Sequence, residues 1–60
     1  NLSKDDFINI IKNYCRYYKI TFNDEIKDKA LKWIFSRGNR TGRSAYQFFK
    51  EYCSTKKIKL

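Results

Sequence analysis

The sequence predicts an all-α fold, a compact three-helix unit with short connections. Three observations carry that expectation. Apolar residues recur at helical spacing in three separate stretches. Each stretch opens on a residue able to cap a helix and closes near a stop or a basic run. No stretch reads convincingly in the two-residue period of a strand.

The first stretch begins LSKDDF. Ser3 is placed to cap, Asp6 stands where a capping-box acid belongs, and Leu2 with Phe7 forms a staple pair. Phe7, Ile8, Ile11, Tyr14, Cys15 and Tyr18 follow at helical spacing, with Ile10 and Tyr17 widening the stripe. Asp5 and Asp6 lie at the end where the macrodipole favours acids, Arg16 and Lys19 at the end where it favours bases. A helix over about 4–18 is expected.

ITFN interrupts the pattern, and Asn23 caps a second helix over about 24–37 whose first turn holds Asp24 and Glu25. Ile26, Ala30, Leu31 and Ile34 form its stripe, while Trp33 and Phe35 broaden it. Gly38, just after Arg37, falls where a left-handed residue ends a helix. The apolar surface reaches more than one side, further than a three-helix unit covers. Trp33 therefore either closes the local core or faces something outside these residues.

The third helix opens between Thr41 and Ser44 and spans about 43–54. Ala45, Phe48, Phe49, Tyr52 and Cys53 give the cleanest stripe in the chain, which fades at Ser54 and Thr55. KKIKL then reads as a basic tail. No internal repeat, low-complexity tract or Pro-rich linker is expected.

Composition narrows the function. At 60 residues the chain is one small domain or part of a larger one. A chain this short buries only about 60% of its surface, so a lone core is marginal. A content of 42% hydrophobic and 18% aromatic residues still belongs to a folded domain, not a disordered tail. Fourteen basic and six acidic residues give a net charge of +8. That balance calls for an anionic partner, whether nucleic acid, nucleotide or acidic protein, although a solvated basic surface has the same composition.

With no His, a zinc site is disfavoured, and two cysteines are too few for a disulfide scaffold. Cys15 and Cys53 read as small core residues of an intracellular, cytoplasmic protein. No apolar run spans a membrane, and no signal peptide is visible. The chain starts at Asn1 and lacks Met, so a fragment of a longer protein is expected, and a missing catalytic motif says nothing of the parent.

RGNRTGRSA, residues 37–45, holds Arg37, Arg40 and Arg43 at every third position around the only two glycines. Arg40 and Arg43 stand at the mouth of the third helix, where the dipole opposes each by about 0.3–1 kcal/mol. An anion removes that cost. Free N–H groups at a helix N-terminus already favour phosphate, and an Arg fork adds charge-assisted contacts. Gly42 lets backbone approach a ligand closely beside Arg43. These features describe an oxyanion or phosphate site, the other reading being arginines paired with distant carboxylates or with water.

The run ALKWIFSRGNRTGRSAYQFFKEY resembles the C-terminal end of a group of bacterial predicted ATPases of the AAA+ superfamily, domain of unknown function 815. There the helices read like ALRWALERGGRSGRVARQF. LSKDDFINIIKNYCRYYKI is similar to the helix before that end, so the resemblance covers nearly the whole chain, most specifically residues 30–49. It implies a small helical lid packed beside a nucleotide-binding α/β domain of the same chain, with ATP and Mg2+ between them. It also implies a homo-oligomeric parent.

One lid helix in such proteins opens with the sensor 2 arginine, which reaches the γ-phosphate. The family pattern Gly-Ala-Arg is followed by apolar residues two, five and six places on. Counting from Arg43 gives Ala45, Phe48 and Phe49, whereas Arg40 gives Gly42, Ala45 and Tyr46. The resemblance thus assigns sensor 2 to Arg43, an auxiliary phosphate or interface contact to Arg40, and the end of the second helix to Arg37. Thr41-Gly42-Arg43 departs from Gly-Ala-Arg. The phosphate-cradling loop and metal-binding acids of an ATPase are not in these residues, so the fragment alone is not expected to hydrolyse ATP.

Two other readings compete. A small basic helical nucleic-acid-binding module would use the third helix as reader, with Ser44, Tyr46 and Gln47 as its exposed polar side chains. A protein-interaction domain would use surface aromatics, and a fully buried Trp33 would remove its best anchor.

Overall fold

In the computed structural model, which describes residues 1–59, three helices succeed one another: α1 (Lys4–Tyr17), α2 (Asp24–Arg37) and α3 (Gly42–Thr55). No strand occurs among the described residues. The all-α three-helix fold read from the sequence is the fold of the chain. α1 stops at Tyr17, one residue before the expected end, and α3 extends one residue beyond its expected span at both ends.

Each helix entry is set by a local side chain. Ser3 Oγ accepts the Asp6 N–H at 3.1 Å, Asn23 Oδ1 the Ile26 N–H at 3.0 Å, and Thr41 Oγ1 the Ser44 N–H at 3.0 Å. Each satisfies a donor that the helix leaves orphaned, and losing one costs about 1 kcal/mol. The capping box expected at α1 is half made, since Ser3 caps Asp6 but the Asp6 carboxylate returns no bond among the described residues. The complete box lies at α3. There the Thr41 N–H donates to Ser44 Oγ at 2.9 Å, so a serine takes the place usual for Glu or Gln.

The exits fall into two kinds. α2 ends on Gly38 in the left-handed region (φ 72°), whose N–H donates to the Ile34 carbonyl at 2.7 Å. α1 and α3 end without glycine. Lys19 and Lys57 both take φ 58°. Beyond them the Ile20 N–H donates to the Cys15 carbonyl, and the Ile58 N–H to the Cys53 carbonyl, each at 2.8 Å. These are the long bonds of a Schellman ending. The local sequences match, YCRYYKI at 14–20 and YCSTKKI at 52–58. One helix ending is used twice, a short recurrence in a chain whose sequence suggests no repeat. KKIKL is also more than a basic tail: Lys56 caps α3, Lys57 makes the turn and Ile58 packs on the core, while Leu60 lies outside the described residues.

α1 packs most extensively against α3. Phe7, Ile11 and Cys15 meet Ile26 and Ala30 of α2 and Ala45, Phe49 and Cys53 of α3 in a fully buried centre. Each large apolar side chain so placed contributes about 1.5–3 kcal/mol. Tyr14 and Tyr18 stack on Phe49 at 5.4 and 5.6 Å, closing one side. The radius of gyration of 10.4 Å equals the value of about 10.4 Å expected for a globular chain of this length. The three helices close on one another.

α2 is the exception anticipated from its broad apolar surface. Ile26, Ala30 and Ile34 are buried, Leu31 and Trp33 are half-buried, and Phe35 is 93% exposed.

Candidate anion-binding site

The turn between α2 and α3 sends its three arginines to three different places. Gly38 stops α2, Asn39 and Arg40 cross, and Thr41 starts α3. Arg37, in the last turn of α2, lays its guanidinium 4.0 Å from the centroid of the Trp33 ring. A cation there also suits the negative end of the helix dipole, in line with the helix-end position read for Arg37.

Arg40 is tied to the other end of the chain. Its carbonyl accepts the Leu2 N–H at 2.6 Å, and its Nε donates to the Leu2 carbonyl at 2.5 Å. The side chain is half-buried and also lines a hollow with Lys4, Leu31 and Phe35. Nothing local in the sequence signals this link, because its partners are 38 residues apart. Arg40 therefore has a structural task beside the auxiliary one expected of it, and its two terminal NH2 groups make no hydrogen bond among the described residues.

Arg43 sits in the first turn of α3, exposed, with no acidic residue in that turn and no ion pair among the described residues. The backbone beside it is half committed. Thr41 and Ser44 satisfy each other's N–H groups through the capping box, while the Gly42 and Arg43 N–H groups have no acceptor among the described residues. Two open donors and one free guanidinium thus share the positive end of a helix dipole. An oxyanion is the kind of group whose charge such a set complements.

Gly42 takes no left-handed φ, and a Cβ built on it would meet nothing within 4 Å. The fold does not require glycine at this position. Space beside Arg43 is open, as a close approach by a ligand needs.

Ser44 is not the exposed polar residue that a nucleic-acid reader would need. It is buried, 6% exposed, with its hydroxyl bonded to Thr41 and to the Asn39 carbonyl at 3.1 Å. A hydroxyl committed to a cap cannot read a base. Tyr46 and Gln47 are exposed on the same helix.

No group of His, Cys, Asp and Glu able to hold a metal ion occurs among the described residues. Cys15 and Cys53 are free and buried. Burial pushes both thiols up, and the proximity of Cys53 adds to the rise at Cys15, so both stay protonated core groups. No helix among the described residues is long and apolar enough to cross a membrane.

No curated protein and no solved structure matches the chain. A family model described as Protein of unknown function (DUF815) matches residues 1–56 and so takes in all three helices, the turn and Arg43. On that match, the chain belongs to the DUF815 family.

Proposed function

We propose that this chain is the C-terminal helical lid of an AAA+ ATPase and that Arg43 is its sensor 2 arginine. The observation carrying the reading is Arg43 itself, a cation at the start of α3 with no ion pair among the described residues, beside Gly42 and Arg43 N–H groups with no acceptor among them. The resemblance of residues 30–49 to AAA+ lids supplies the identity of the anion, the γ-phosphate of ATP.

In this reading the nucleotide lies between the lid and an α/β domain of the same chain, which also holds Mg2+. The lid residues perform no bond cleavage. Arg43 places fixed positive charge against the phosphate oxygens as charge develops during transfer, where a preorganised cation acts most strongly. The capping box fixes the first turn of α3, so the backbone that carries Arg43 and the two open N–H groups is set before the nucleotide arrives. Arg40 stays an auxiliary contact through its terminal NH2 groups. Rotation of the lid as a body then couples nucleotide state to movement between subunits of a homo-oligomer.

The test is Arg43→Ala in the full-length protein. Turnover of ATP falls by at least about tenfold, within the range of losing one donor to developing charge. The helical circular dichroism of the 60-residue chain is unchanged, because the side chain is exposed and bonds no described residue. Near-normal turnover in the variant removes the sensor assignment.

A further inference from the structure

A second surface lies away from the arginine turn, between α2 and α3. Trp33, Phe48 and Tyr52 line a groove of about 330 Å³, the Trp33 and Phe48 rings meeting edge to face at 5.6 Å. Lys29, Lys32 and Arg37 stand along the α2 side, against the single acid Glu51 on the α3 side. None of these cations forms an ion pair among the described residues. Two of them lie over the floor itself, Arg37 at 4.0 Å from Trp33 and Lys29 at 5.8 Å from Tyr52. The Trp33 Nε1–H is buried and has no acceptor among the described residues.

We infer that this groove docks an acidic amphipathic helix of a partner protein. Shape gives the helix. The α2 residues 29, 32–33 and 36–37 and the α3 residues 48, 51–52 and 55 form two ridges. Each is about two helical turns, or about 12 Å, long, the seat of a third helix laid between them. Charge gives the acidity: along the groove, three cations without an ion pair among the described residues face one carboxylate, and so attract acidic flanks and repel basic ones.

The aromatic floor gives the apolar anchor. A partner carboxylate that draws Arg37 off the indole exchanges a cation–π contact for a charge-assisted pair. Stacked nucleotide bases fit less well, because Glu51 opposes a continuous run of phosphates.

Trp33 is the only tryptophan, so its emission reports the groove alone. The probe is a synthetic helical peptide of about 14 residues, with Leu and Phe along one face and Glu on its flanks. The control carries Lys in place of every Glu. Titration of the chain with the acidic peptide gives a saturable change in Trp33 emission, and the basic control gives none.

Lys29→Glu with Lys32→Glu weakens binding at least about tenfold, as for reversed charges at an interface. Those changes place like charges four residues from Glu25 and Asp28. Lys29→Gln with Lys32→Gln is therefore measured as well and weakens binding about threefold or more. The inference is overturned by equal binding of both peptides or by unchanged affinity in the Gln variant. It is equally overturned by a single-stranded oligonucleotide giving the same saturable change, or by sedimentation showing that the chain covers the groove with a second copy. The Arg43 reading stands or falls separately, since neither lysine belongs to the arginine turn.

Discussion

Arg43 and Gly42 are adjacent, yet the fold asks nothing of either. Arg43 bonds to no described residue, and Gly42 has neither a left-handed backbone nor a neighbour where a Cβ would stand. Their place at the mouth of α3 was legible in the sequence, because helix-mouth chemistry depends on near neighbours. Arg40 was not fully legible, since its bonds run to Leu2 at the far end of the chain. Gly42→Ala separates the demands of fold and ligand. In the isolated chain it stabilises by up to about 0.4–1 kcal/mol, because Ala loses less freedom on folding. If the chain is the lid proposed above, in the full-length protein the added methyl stands in the path of the phosphate, and ATP turnover falls. Melting curves and turnover moving in opposite directions meet the expectation; unchanged turnover shows that close backbone approach is not needed.

At the scale of the helix, the entries were readable and two of the three exits were not. Ser3, Asn23 and Thr41 cap within three residues, a range that a local pattern captures. Gly38 announces its exit by residue type. Lys19 and Lys57 do not, because a left-handed lysine is imposed by the isoleucine after it: Ile20 and Ile58 must turn back onto the core. The left-handed region costs an L-residue about 1–2 kcal/mol, partly offset in a glycine by its greater freedom when unfolded. Lys19→Gly and Lys57→Gly should therefore each stabilise the chain by up to about 1 kcal/mol, raising Tm by about 4–8 °C in a domain of this size. Thermal unfolding followed by circular dichroism decides it. A fall in Tm for both variants would mean that the lysine stems contribute packing that outweighs the backbone gain.

For the whole molecule, Glu25 and Lys56 join the start of α2 to the end of α3 at 2.9 Å, and the Tyr52 hydroxyl donates to the same carboxylate at 3.3 Å. The Lys56 hydrogen bond holds the Glu25 carboxyl below its ordinary range, and the same partnership raises Lys56. Burial, with Glu25 beside it, pushes the Tyr52 phenol up. A carboxyl with a depressed folded value adds stability above its ordinary unfolded value and loses it as pH falls through the folded one. The Tm advantage of the wild type over Glu25→Gln should thus be present near neutrality and close at acid pH. A gap independent of pH would assign the effect of the substitution to lost packing instead.

The Leu2–Arg40 pairing has a mechanical meaning. Its two bonds fasten the strand of chain entering α1 to the residue just before the Thr41 cap. Force applied to the chain at Leu2 reaches the root of α3 through two hydrogen bonds, without first crossing the hydrophobic centre. Only Thr41 and Gly42 separate that anchor from Arg43, so the backbone entering α1 and the residue at the mouth of α3 share one short mechanical link.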